Sequence, residues 1–175
     1  AEPIPIIYTL PVASAQVKSA ILLGALNTPG KTKIIEENAT RDHTERMLNL
    51  FGADISSVVT PNGNEITIAG FPELVGTNLK IPSDPSSAAF PVCAALIVKG
   101  SDVTVPNVCQ NPTRNELFSV LIRMGAEISF ENEREESGEK VADVRALYSP
   151  DIVGVDILGD RAALMIDEYP ILAMV

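Results

Sequence analysis

Strand-like and helix-like spacings of apolar residues follow one another along this chain in a recurring order. A short strand is predicted over Ile6 to Leu10. A helix over Ala13 to Asn27 follows, apolar on nearly every side and so expected to be buried. Pro29-Gly30 ends it, and Thr32 to Glu36 reads as a strand. Asp42 to Phe51 has helical spacing with Met47, Leu48 and Phe51 on one face, and Gly52 suits a left-handed C-cap. Ile55 to Val59 and Glu65 to Ala69 then read as a hairpin around Pro61-Asn62-Gly63-Asn64.

The same order returns roughly seventy residues later. Leu79 to Ile81 is predicted as a strand, Pro85 to Val98 as a buried helix, Val103 to Val105 as a strand and Glu116 to Met124 as an outer helix. Strands around Glu127 to Phe130 and Asp143 to Ala146 follow, with the charged stretch Glu131 to Lys140 read as an exposed loop between them. Leu48 to Ser56 is echoed by Leu121 to Ser129, and Thr40-Arg41 by Thr113-Arg114. A third copy is expected to open with a strand at Val155 to Ile157 and to enter its first helix after Asp167. The pattern is a mixed α/β (α+β) fold of β-α-β-α-β-β units, whose interior helices must be enclosed by other structure.

Composition narrows the function. A net charge of -10 argues against a nucleic-acid backbone or an anionic membrane as partner, since both favour clustered Lys and Arg. No stretch reaches membrane-spanning length uninterrupted. Cys93 and Cys109 sit in apolar stretches and read as buried reduced thiols, in keeping with a cytoplasmic protein. With no C-x-x-C pair and one histidine, a zinc site is not expected. The opening Ala1-Glu2-Pro3-Ile4-Pro5 is unlike a secretory signal, and both termini read as cut edges of a longer chain.

Candidate chemistry lies where the interior helices begin. Ser14-Ala15-Gln16 with Lys18 opens the first, Ser83-Asp84-Pro85-Ser86-Ser87 the second and Asp167-Glu168 the third. Helix N-termini present unpaired N–H groups that bind anions, phosphates above all. Ordinary capping by Ser and Asp explains the same residues. Thr40-Arg41 beside a helix start would make a phosphate cradle, while Thr40 or Asp42 with Glu45 could equally be a capping box. His43 reads as structural or solvent-facing. A cap needs one acid, so the pair Asp167-Glu168 marks Asp167 as a group that could exchange protons with a substrate.

These segments together resemble one enzyme family. Ser14-Ala15-Gln16-Val17-Lys18-Ser19 is similar to the S-x-Q-x-K-S segment of EPSP synthases. Thr40-Arg41-Asp42-His43-Thr44-Glu45, Asp84-Pro85-Ser86-Ser87-Ala88-Ala89-Phe90-Pro91, Asn111-Pro112-Thr113-Arg114 and Met165-Ile166-Asp167-Glu168-Tyr169-Pro170 look like later segments, in family order. They most resemble the class II, glyphosate-insensitive branch. The resemblance implies the two-domain enolpyruvyl transferase fold, of which this chain would hold an incomplete part. Residues 1–77 would be the last unit of one domain, and residues 78–175 the first unit and the start of the next in the other.

The resemblance also implies roles. Ser14, Ala15 and Gln16 would bind shikimate 3-phosphate, with Gln16 reaching phosphoenolpyruvate as well. Arg41, with Thr40, would meet the substrate phosphate, and Asp167 would hold the shikimate hydroxyls and move a proton. No metal or organic cofactor is implied, and the full-length enzyme is expected to be monomeric. The family's other phosphoenolpyruvate-binding cations are absent from these residues, so this piece alone is expected to be inactive. The competing readings are the enolpyruvyl transferase that uses a UDP-amino sugar, and a non-catalytic repeat scaffold.

Overall fold

A computed structural model describes residues 2–157, 159–162 and 164–175. The chain divides into two compact units, Ala1–Leu79 and Lys80–Val175. In the first, the elements run β1 (Ile7–Thr9), α1 (Ala15–Ala25), β2 (Lys31–Glu36), α2 (His43–Leu50), β3 (Ile55–Thr60) and β4 (Gly63–Ala69). The sheet order is β1-β2-β4-β3. β1 and β2 are parallel, which requires a crossover, and α1 supplies it. β4 pairs antiparallel with both β2 and β3.

Alternation along β2 turns Thr32, Ile34 and Glu36 inward. Ile34 joins Leu10, Leu22, Leu48, Ile66 and Ile68 in the core of this unit. The C-terminal end of α1 lies against the exit of β4. The Gly70 N–H donates to the Gly30 carbonyl at 2.8 Å and the Phe71 N–H to the Leu26 carbonyl at 2.9 Å. Gly52 has φ +87, as a left-handed helix C-cap demands.

The second unit has α3 (Pro85–Ile97), β5 (Asp102–Cys109), α4 (Glu116–Arg123), β6 (Ile128–Glu136) and β7 (Glu139–Leu147). After these come α5 (Gly159–Ala162), a 3₁₀ turn at Ile166–Glu168 and α6 (Tyr169–Leu172). Its sheet order, β5-β7-β6, reproduces β2-β4-β3. The core gathers one face of α3 with Phe118, Leu121, Val144 and Met165, and Phe118 meets Phe130 edge-on at 6.1 Å.

Four expectations are corrected. Leu79 to Ile81 is no strand: Pro82 lacks an N–H, and contact with β5 shrinks to one parallel bridge, Ser83 to Val108. Glu131 to Lys140 is no loop: it is strand, with a bulge at Asn132 and Glu133, except for Ser137 and Gly138, whose φ values of 52 and 80 make a two-residue turn. Of its charges, Arg134 reaches Glu136 at 2.7 Å and Asp143 at 3.3 Å. Val155 to Ile157 forms no strand, and a 3₁₀ turn precedes only four helical residues beyond Asp167. Finally, α1 is not buried all round. Its sheet covers a stripe of Lys18, Leu22 and Ala25, while Val17 and Leu23 stay exposed, and α3, likewise expected to be buried, leaves Phe90 and Ile97 exposed.

Gly70 admits no side chain, because a Cβ there would overlap the Thr28 carbonyl. Gly70→Ala in the complete protein is expected to cost about 1–3 kcal/mol, read as a lower urea midpoint with an unchanged slope.

Candidate functional site

The start of α1 is set by Ser14, extended at φ -134, whose hydroxyl accepts the Val17 N–H at 3.3 Å. Beside it lies a groove of about 440 Å³ lined by Ala15, Gln16, Ser19, Ala20, Leu23, Arg41, His43 and Thr44. Two segments build it: α1 from Ala15 to Leu23, and the Arg41-to-Thr44 entry into α2. They are tied across the wall by the hydroxyls of Ser19 and Thr44, 2.7 Å apart. Three of the sequence-predicted residues, Ala15, Gln16 and Arg41, therefore share one concavity. A guanidinium, a side-chain amide and hydroxyls over an apolar floor suit an anionic, hydroxylated ligand.

Behind the groove is an ion cluster. Lys18 has 0% exposure. Its Nζ lies 2.7 Å from Glu45 Oε1 and 3.2 Å from Glu36 Oε2, and it donates to the Thr40 carbonyl at 3.5 Å. Glu36 also accepts the Thr40 hydroxyl at 2.8 Å, the Thr40 N–H at 3.3 Å and the Asn64 amide at 3.1 Å. Thr40 thus turns its hydroxyl toward Glu36, and Lys18 lies beneath the site rather than in it.

The capping-box alternative is also corrected. Asp42 holds the N-cap position of α2 but directs its carboxylate to Arg46, at 2.8 and 2.9 Å. Glu45, the would-be partner of such a box, goes to Lys18. Burial pushes the Glu45 carboxyl above its ordinary 4.5, and the Lys18 bond only partly opposes this. Among the described residues, Glu45 Oε2 has no hydrogen-bond partner.

In the second unit Asp84 caps α3, accepting the N–H groups of Ser86 and Ser87 at 3.3 and 3.2 Å. Arg114 binds Asp84 at 2.6 Å and donates to the Ser86 hydroxyl oxygen at 3.1 Å. Ser86 in turn donates to Glu168 Oε1. The acidic pair is thereby divided: Glu168 is buried and anchors the 3₁₀ turn, and Asp167 is exposed on it. Sequence reasoning missed the groove positions of Ser19, His43 and Thr44, and the hold of Ser86 on Glu168. Spacing along α1 offered a signal for the first, since Ser19 stands one turn from Ala15 on the same face.

The sequence model of the family described as EPSP synthase (3-phosphoshikimate 1-carboxyvinyltransferase) matches residues 4–175. The chain is 60% identical over 175 residues to a protein of Roseobacter denitrificans named 3-phosphoshikimate 1-carboxyvinyltransferase, covering 100% of this chain and 39% of that one. A Ruegeria protein of the same name is 59% identical, with the same coverage. An EPSP synthase structure from Acinetobacter baumannii superposes with a TM-score of 0.87 at 46% identity, over 97% of this chain and 37% of that one. The enolpyruvyl transferase NikO of Streptomyces tendae, at 20% identity and TM-score 0.56 over 83% of this chain and 35% of that one, shares the fold. The chain thus spans about two fifths of the length of the curated relatives it matches.

A carboxyl raised by folding favours the protonated native state, so its contribution is complete below 4.5 and is lost as pH rises through the native value. Relative to Glu45→Gln, the parent protein should therefore gain stability as pH falls toward 4.5. Urea midpoints of both proteins across that range check it.

Proposed function

The chain belongs to the EPSP synthase family, and from that membership we propose that the complete protein is a 3-phosphoshikimate 1-carboxyvinyltransferase. It moves the enolpyruvyl group of phosphoenolpyruvate onto the 5-hydroxyl of shikimate 3-phosphate and releases phosphate. The observation that carries this reading is the groove in which Ala15, Gln16 and Arg41 meet at a helix start. Such a site holds a phosphorylated polyol by charge, by amide and by backbone N–H groups together.

In this reading Ser14, Ala15 and Gln16 bind shikimate 3-phosphate, and Gln16 also reaches phosphoenolpyruvate. Arg41 takes the substrate phosphate, with Thr40 fixing the backbone before it. Asp167 holds the shikimate hydroxyls and accepts the 5-hydroxyl proton as that oxygen bonds to C2 of phosphoenolpyruvate. C3 is protonated in the same step by an acid held in the remainder of the complete protein, giving a tetrahedral intermediate. The C2–O bond to phosphate then breaks, C3 gives back a proton, and inorganic phosphate leaves with its bonding pair. Residues 1–77 and 78–175 are read as parts of the family's two successive domains.

The complete protein is further proposed to be a cytoplasmic monomer. Among the described residues no helix is long and apolar enough to cross a membrane. Cys93 and Cys109 are buried and form no disulfide, and burial pushes the Cys93 thiol up to about 11, as suits a reducing compartment.

Asp167→Asn in the complete protein is expected to lower kcat by a factor on the order of 10²–10⁴, measured as phosphate release with both substrates saturating. Unchanged turnover would remove the assignment. The 175-residue piece on its own is expected to release no phosphate above an Asp167→Ala control.

A further inference from the structure

We propose that Lys18 is a positioning residue for substrate binding: its buried ammonium fixes the β2–α2 loop so that Arg41 is held beside the start of α1. This role rests on the assignment of Arg41 to the substrate phosphate.

Lys18 sits one turn beyond Ser14-Ala15-Gln16 on α1. Its three N–H donors have three destinations: Glu36 at the end of β2, Glu45 in the first turn of α2, and the carbonyl of Thr40, which directly precedes Arg41. One nitrogen of α1 is therefore joined to the end of β2, to the residue before Arg41 and to α2, so it ties together the two groove-building segments and the strand behind them. The loop between β2 and α2 has no regular structure, and Glu37, Asn38 and Ala39 are exposed. Its conformation is held at its far end, by Glu36 on the Thr40 N–H and hydroxyl and by Lys18 on the Thr40 carbonyl.

Stability alone does not ask for this arrangement. Replacing a buried ion cluster with well-packed apolar side chains is often neutral or stabilising. What the ions add is direction, because each contact sets the orientation of a carbonyl or carboxylate as well as its distance.

The second unit supplies an internal comparison. It repeats Thr-Arg as Thr113-Arg114, but the position matching Lys18, four residues after the helix cap, is the buried Ala88. Thr113 bonds instead to the Asn111 side chain at 2.8 Å, and Arg114 is bound to Asp84. The lysine thus occurs in the unit whose arginine lines a groove, and is replaced where the arginine is bound to the Asp84 cap of α3.

The test is steady-state kinetics of the complete protein carrying Lys18→Met, Arg41→Ala, both together, or Ile68→Ala. The last truncates a core residue paired with Thr32 and Ile55, toward the other end of the same sheet. Lys18→Met is expected to raise KM for shikimate 3-phosphate about tenfold with kcat within about twofold. In the Arg41→Ala background it should add less than about twofold, because both changes act through one contact. Ile68→Ala should lower the unfolding midpoint and leave KM unchanged. If Lys18→Met does not fold, Glu45→Gln replaces it, with a KM rise of about threefold and the same non-additivity.

Independent, multiplying effects of Lys18 and Arg41 overturn the proposal, as does an equal KM rise in Ile68→Ala. A raised KM in Arg41→Ala with an unchanged KM in Lys18→Met, or in Glu45→Gln where that replaces it, overturns only the positioning role. An unchanged KM in Arg41→Ala removes the phosphate assignment, and the role of Lys18 with it.

Discussion

An ammonium withdrawn from water loses several kcal/mol of hydration, and only close, well-aimed acceptors restore it. Lys18 is in that position, with Glu36 and Glu45 as its counter-charges. The constraint runs both ways: two carboxylates converging at one buried point would repel without the cation between them. β2 must therefore end with Glu36 facing inward, and α2 must begin with Glu45 turned toward α1. The loop between them can close only in a conformation that presents the Thr40 carbonyl to the same nitrogen. The groove lies on the outer side of this arrangement, so its shape follows from an electrostatic requirement a few ångströms beneath it.

The two units show how one topology carries different chemistry. Both place a capped helix start next to a Thr-Arg pair. In the first the cap is Ser14, a neutral hydroxyl that leaves the local field of the helix end uncompensated. In the second the cap is Asp84, which neutralises both the helix end and Arg114. The first start has no carboxylate as its cap and suits an anion, whereas the second is capped by Asp84 and serves to hold Glu168 through Ser86. Equivalent positions in a repeat are thus no guide to equivalent roles unless the cap and its counter-charge are read together.

Much of this could be read from residue order, and the failures have physical causes. The hairpin β3–β4 and the left-handed Gly52 follow from turn chemistry that needs no tertiary information. The helix starts at Ser14 and Asp84 follow from capping. The second hairpin was hidden because Glu131 to Glu136 carries charge where a strand usually alternates, and a surface strand with paired charges has little apolar signature. Lys18 was read as a site residue because it is polar and near a helix start. Yet it stands at i to Leu22 at i+4 and Ala25 at i+7, the buried stripe, and Glu36 continues the inward row of Thr32 and Ile34. Both periodicities placed opposite charges on facing inner surfaces. Their pairing still required knowing that α1 packs on β2. The separation of Asp167 from Glu168 was out of reach for the same reason, since it depends on Ser86, far away in sequence.

The two hairpins also differ in what their outer strands offer to a second molecule. β6 ends its sheet and carries Glu131, Glu133, Glu135 and Glu136. Another copy approaching to extend the ladder there would bring like charges together, a safeguard against edge-to-edge aggregation. β3 also ends a sheet, but it has no charged residue and exposes Val58 and Val59. Of these two hairpin borders β3 is thus the less protected in concentrated or partly unfolded protein, and a single lysine in place of Val59 would give it the electrostatic guard its counterpart already has.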